Sequence, residues 1–357
     1  MSAGADQLFI NGRFLTRKMT GTERFAYEIV RALDALLVVG ERDIRVTLLA
    51  PPGARPMPGL KYIDFLTVGT RQGHLWEQSD LVRAARGGFL INPASCGPLF
   101  KRDQLTVTHD AAVYRRPKNY AFAYRSWHRV LGLVLSRFSR LATVSVFSQA
   151  ELAAVLHIPA ASILIVSNGH EHILSTAPES GVIEKLELEN RPYFLFVGSP
   201  TPNKNLARAI AAFQTLGRPD ARFVIVGAAQ AGLFQNELSD LPTNIIMPGR
   251  LSDGEIVGLY RHAAALVFPS LYEGFGIPPL EAMAQGCPVI AARIPAVQEV
   301  CGDAALYFDP YAPQEIAVRM RSILDSAALR DDLIAKGGAR YPRFSWQTGA
   351  RSLLWSF

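Results

Sequence analysis

Two glutamates, Glu273 and Glu281, bracket a glycine-containing loop in the stretch ALVFPSLYEGFGIPPLEAMAQGCPVIAA. A β-branched and aromatic run ends near Ser270. The loop Glu273-Gly274-Phe275-Gly276-Ile277 follows, and Pro278 or Pro279 stands where a helix opens. Amides in the first turn of a helix have no intrahelical partner and the helix dipole is positive there, so the glycines allow a phosphate to approach closely. Glu281 is expected in that first turn and Glu273 in the loop, where both carboxylates can accept hydrogen bonds from ribose or sugar hydroxyls. Taken singly, the same residues also fit a tight turn and a carboxylate that only complements the dipole.

A second candidate is His109, which with Asp110 follows the run QLTVT. The carboxyl end of a strand is where a doubly wound domain presents ligand-binding groups. In TGTERFAYEIVRAL a loop containing Gly21 and Thr22 leads into an amphipathic helix with Phe25, Ile29 and Leu33 on its core face. Ser148-x-x-Glu151 in TVSVFSQAEL reads as a capping box.

The elements that must position these groups alternate along the whole chain. Short runs such as QLFING, IRVTLLA, GFLINP, QLTVTHD, ATVSV, ILIVSNG, YFLFVGS, RFVIVGA, NIIMPG, ALVFPS and PVIAA read as buried parallel strands. Amphipathic stretches lie between them, over residues 21–33, 121–141, 205–216, 253–262 and 279–285. The fold class is therefore α/β, built from β-α-β units. Residues 172–191 interrupt the rhythm with small polar residues and clustered Glu and Lys, and are read as a linker. Residues 1–171 and 192–344 then form two doubly wound domains. The closing stretch 345–357, with apolar Trp346, Leu353, Leu354 and Trp355, is expected to dock back on the first.

A chain of 357 residues with 49% hydrophobic and 19% charged residues suits two globular domains. Cys96, Cys287 and Cys301 match neither a disulfide framework nor a zinc site, which fits a reducing cytosol. No apolar run is long enough to span a membrane, so a cytoplasmic location is expected. Charge is uneven. Residues 1–175 hold 21 Lys and Arg against 13 Asp and Glu, a balance of +8, whereas residues 176–357 hold 16 against 18, or −2. A basic half suits an anionic membrane surface, a nucleic acid or an acidic small substrate. Arg115, Arg116, Lys118, Arg125, Arg129, Arg137 and Arg140 cluster around YAFAYRSWHRVLGLVLSRF. This stretch reads either as a domain helix burying Leu131, Val134 and Leu135 or as a segment lying on an anionic bilayer.

The string Glu-x7-Glu around GFGIPPLEAMAQGCPVIA resembles the signature of the retaining glycosyltransferases of family four, which have two Rossmann-like domains facing across a cleft, the GT-B fold. The resemblance implies transfer of a sugar from a nucleotide-diphosphate sugar to a glycan or lipid-linked glycan acceptor, with retention of configuration, in cell-surface polysaccharide biosynthesis. It places Glu273 near the transferred sugar and Glu281 on the nucleotide ribose. GSPTPNKNL resembles the family's Gly-x5-Lys stretch, so Lys204 binds the donor diphosphate. Ser199 and Asn203 stand where many or some relatives carry arginine. Gly21 and Thr22 lie near the donor phosphates or acceptor, and His109 contacts the transferred sugar. SNGH, residues 167–170, resembles a Pro-Asn-Gly motif in which Asn168 and Gly169 shape the hinge. Arg250, Leu251 and Glu255 of MPGRLSDGEI fall where the family contacts the base.

No metal or other cofactor is implied, GDP-sugars are favoured as donors, and contact of the first domain with the membrane is reasonable. The oligomeric state is not encoded in these motifs. A sugar-nucleotide epimerase on the same architecture would use the same phosphate logic, but the Glu-x7-Glu string argues against it. A non-catalytic nucleotide- or nucleic-acid-binding protein would use the basic half, yet no recognised nucleic-acid motif is present.

Overall fold

The computed structural model describes residues 7–227 and 242–357. The chain divides into two compact units, Met1–Gly169 with Ser345–Phe357, and His170–Phe344. The stretch expected as a linker belongs to the second unit and contains short helices at Glu171–Ser175 and Gly181–Lys185. Its small polar residues are the turns around those helices.

In the first unit, strands β1 (Gln7–Asn11), β2 (Arg45–Ala50), β3 (Asp64–Thr67), β4 (Phe89–Asn92), β5 (Gln104–Val107), β6 (Arg140–Thr143) and β7 (Ile163–Ile165) form a parallel sheet. Their order is β3-β2-β1-β4-β5-β6-β7. Leu8, Ile10, Leu48, Leu90 and Ile91 are fully buried, as a parallel sheet covered on both faces requires. Helix Gly21–Val38 covers one face through Phe25, Ile29 and Leu33. The C-terminal helix Trp346–Leu354 packs on it, with Trp346 meeting Phe25 edge to face at 5.9 Å. Trp355, expected in that apolar face, is instead exposed just past the helix, with the Arg42 guanidinium 5.5 Å from its ring.

The second unit contains β8 (Tyr193–Val197), β9 (Arg222–Val226), β10 (Ile245–Gly249), β11 (Ala265–Phe268), β12 (Val289–Ala292) and β13 (Ala305–Phe308), also parallel, in the order β10-β9-β8-β11-β12-β13. Both sheets thus run outward in both directions from an early strand, reversing between β1 and β4 and between β8 and β11. A crevice opens outside the carboxyl ends of strands at such a reversal, because successive connections there turn to opposite faces. Together these are the two Rossmann-like domains of the GT-B fold. Two strands escaped the sequence reading, β3 and β13. Each is the outer edge of its sheet.

The three cysteines are buried and unbonded thiols. Among the described residues no helix is long and apolar enough to cross a membrane.

Candidate functional site

The loops after β8 and β11 flank the reversal point of the second sheet, and they are stitched together. After Val197 the chain passes Gly198 and a 3-10 turn, Pro202–Lys204, before helix Leu206–Gln214. Asn205, buried and left-handed at φ 56°, donates from Nδ2 to the carbonyls of Pro269 (3.0 Å) and Pro310 (2.8 Å). The Leu271 amide donates to the Asn203 carbonyl at 2.8 Å. These bonds bring Lys204 against the loop that carries Glu273, and Lys204 Nζ donates to Glu273 Oε1 at 2.6 Å. Only 22% of the lysine side chain and 16% of the glutamate side chain are exposed, so this pair is far less screened than a surface one. The ammonium also lies 5.2 Å from the ring centroid of Phe268.

Close backbone approach shapes the same corner. Gly227, after β9, has φ 153°, and a Cβ there would sit 2.1 Å from the Gly198 carbonyl oxygen. Gly276 has φ 122° and caps helix Ile277–Ala284, whose second and third residues are Pro278 and Pro279. The prolines have no N–H to leave unpaired in the first turn. Ser270, just past β11, is fully buried and its Oγ has no hydrogen-bond partner among the described residues.

Glu281 is the fifth residue of that helix, beyond the first turn expected for it, and it is buried. His172 Nε2 lies 2.9 Å from its Oε1, and the Tyr260 hydroxyl donates to Oε2 at 3.0 Å. Burial, then the Glu281 carboxylate, push the Tyr260 hydroxyl well above the ordinary tyrosine range, so it remains a donor.

In the first unit, His109 follows β5 with its Nε2 2.9 Å from the Pro93 carbonyl and its ring edge to face with Phe25 at 4.7 Å. Burial lowers its pKa below the usual 6.5, against weaker raising effects of the Pro93 bond and Glu23. A neutral imidazole that donates from Nε2 has Nδ1 as its acceptor. His109 and Thr22 line a cavity of about 600 Å³ with Arg13, Arg17, Lys18 and Tyr124. Gly21 opens helix Gly21–Val38 and is exposed. His74, Glu77 and Cys96 bring potential ligand atoms within 4.8 Å of one another. The cation held there is the Arg13 guanidinium, bonded to Glu77 and 3.0 Å from His74 Nδ1.

Residues 182–340 match the family described as glycosyl transferases group 1. The second unit is a group 1 glycosyl transferase domain. The chain is 29% identical over 254 residues to the O-antigen chain mannosyltransferase B of Escherichia coli, spanning 68% of this chain and 67% of that one. It is 30% identical over 217 residues to the O-antigen chain mannosyltransferase RfbU of Salmonella typhimurium, spanning 60% and 58%. Among solved structures, WaaG, a glycosyltransferase involved in lipopolysaccharide biosynthesis, superposes with a TM-score of 0.73 at 16% identity over 97% of this chain and 98% of that one. Anabaena HepE in complex with UDP and glucose superposes with a TM-score of 0.74 at 17% identity, covering 98% of both chains.

Within the group 1 domain, Lys204, Glu273, Gly274, Gly276, Ile277 and Glu281 gather at the carboxyl ends of β8 and β11, and Ser199 lies in the loop after β8. Phe275, expected at the donor, is buried with its ring edge to face with Phe344 at 5.5 Å. Arg250 and Leu251 follow β10 at the sheet edge. Glu255, expected at the base, forms a capping box with Ser252 and an ion pair with Lys185 at 2.9 Å. Ser148-x-x-Glu151 is not a capping box. Ser145 caps helix Val146–Leu156, Ser148 Oγ donates to the His109 carbonyl at 3.2 Å, and Glu151 pairs with Arg115 at 2.7 Å. The sequence reading missed Asn205, His172 and Tyr260. Asn205 was visible as the residue after Lys204, whereas the other two meet Glu281 only through the fold.

Proposed function

We propose that the chain transfers a sugar from a nucleotide-diphosphate sugar to a glycan or lipid-linked glycan acceptor in cell-surface polysaccharide synthesis. The observation that carries this is the Lys204–Glu273 pair at the reversal point of the second sheet. There a cation for the diphosphate and a carboxylate for sugar hydroxyls are held side by side, next to the glycine-capped helix that opens at Ile277. The group 1 match and the relatives named as O-antigen mannosyltransferases support the reading, and they make GDP-mannose the first donor to test.

Cleavage of the anomeric carbon–phosphate bond builds positive charge on the sugar ring and negative charge on the departing diphosphate. Lys204 and the amides near Gly276 stabilise the latter, so no metal is required. The acceptor hydroxyl oxygen bonds to the anomeric carbon on the face that the diphosphate leaves, and its proton passes to that phosphate. Retention follows, with Glu281 holding the ribose. The anomeric configuration of the product by NMR tests this, and an inverted product overturns it. Chelation by EDTA leaves the rate unchanged on this reading, and loss of activity restored by a divalent cation contradicts it.

The first unit's helix Phe122–Phe138 supports peripheral contact with an anionic bilayer. Leu131 and Leu135 are buried as its core face, while Phe122, Trp127, Val130 and Leu133 remain exposed beside Arg125 and Arg137. Flotation with phosphatidylglycerol vesicles at low salt tests this. Failure to float removes the membrane from the account.

A further inference from the structure

The carboxylate of Glu281 is clamped from two other elements of the second unit. His172 comes from helix Glu171–Ser175 and Tyr260 from helix Asp253–His262, and the two address opposite oxygens. All three side chains are buried, and Tyr260 is fully so. A carboxylate in such a place is costly unless hydrogen-bonded, and its plane is set by whatever bonds it. Donors on both oxygens fix the plane of the carboxylate. The Glu281 side chain is 11% exposed, against 5% for His172. The Tyr260 hydroxyl also lies 3.4 Å from the Pro278 carbonyl, which ties the carboxylate's orientation to the helix start.

We propose that His172 and Tyr260 are positioning residues that aim Glu281 at the cis-diol of the donor ribose. Selectivity for a ribonucleotide over its deoxy counterparts then depends on both. This rests on the reading of Glu281 as the ribose ligand. Removing either donor lets the carboxylate rotate or draw in water, so the hydroxyls lose a preorganised partner while contacts to the diphosphate stay.

The experiment is calorimetric titration of the full chain with GDP, 2′,3′-dideoxy-GDP and inorganic pyrophosphate. The chains are the wild type, Glu281→Gln, His172→Phe and Tyr260→Phe, the last two keeping a buried ring without the donor. A hydrogen bond to a charged group makes the wild type prefer GDP over the dideoxy form by about tenfold to a hundredfold. His172→Phe and Tyr260→Phe reduce this preference to about threefold or less, with pyrophosphate affinity unchanged. Full preference in both variants, with its loss in Glu281→Gln, overturns the positioning role and leaves the ribose reading standing. Undiminished preference in Glu281→Gln, or none in the wild type, overturns that reading and the positioning role with it. Weakening of all three ligands in parallel marks the two residues as merely structural and also overturns the proposal.

Discussion

Replacing Lys204 by alanine takes more than one favourable contact from a bound diphosphate. The ammonium is 2.6 Å from Glu273 Oε1 and the pair is largely shielded from solvent, so its loss exposes the ligand to an uncompensated carboxylate. The missing charge-assisted hydrogen bond costs about 2 kcal/mol. A carboxylate roughly 5 Å from one phosphate charge, at an effective dielectric constant of about 20, adds about 3 kcal/mol of repulsion. The sum of about 5 kcal/mol corresponds to a loss of roughly 10³ to 10⁴ in affinity. Since about 3 kcal/mol of that comes from Glu273, the double variant Lys204→Ala/Glu273→Gln should regain about two decades. Glu273→Gln alone should leave GDP affinity unchanged or tighter. Calorimetric affinities for GDP across the four chains form a double-mutant cycle that isolates the coupling. GDP carries no sugar, so a separate role of Glu273 toward the sugar does not enter. A Lys204→Ala affinity within about threefold of wild type, or a double variant no better than Lys204→Ala, refutes the electrostatic argument.

Gly227→Ala places a Cβ 2.1 Å from the Gly198 carbonyl oxygen at a positive φ, which should cost about 2–4 kcal/mol of stability. Because Gly198 starts the loop to Lys204, GDP affinity should fall too, as thermal melts and titration check. An unchanged melting temperature would show that the corner is not tight. In the first unit, burial and then the charges of His74, Arg17 and Arg13 hold His128 down to about 4, and burial also lowers His109. Both are neutral in the fold at neutral pH. Their stabilisation is therefore complete above an unfolded value of about 6.5 and drains away as pH falls from there through the folded values. Melting temperature should drop between pH 6.5 and 5, and His128→Asn should flatten that drop; an equal slope in the variant contradicts the assignment.

What the sequence disclosed was local. The strand runs, the helix start at Pro278 and the Gly-x5-Lys stretch depend on neighbouring residues, and the fold places their elements as expected. The edge strands β3 (DFLT) and β13 (ALYF) were missed because neither four-residue run contains Val or Ile, whereas the edge strands β7 and β10 open on isoleucine and were read. Ser148 was read as a cap because its spacing to Glu151 fits. In the structure β6 begins at Arg140, earlier than the run ATVSV suggested, and the chain turns into its helix at Ser145. Ser252 and Glu255 show the converse, since the spacing of a capping box was present and went unread. Most instructive is Glu281. Its motif identifies the carboxylate, but the residues that hold it lie 109 and 21 positions away, and the contact with His172 depends on where the helix Glu171–Ser175 is docked.

The central claim is that the second unit holds a nucleotide-diphosphate sugar at Lys204. It is tested most directly by titrating the wild-type chain and Lys204→Ala with GDP-mannose, UDP-glucose and dTDP-glucose in the calorimeter. The account predicts one-to-one binding of at least one donor by the wild type, strongest for GDP-mannose, and loss of that binding in a variant that still melts cooperatively. Equal donor affinities in the two chains, or no binding of any of the three by the wild type, would contradict it.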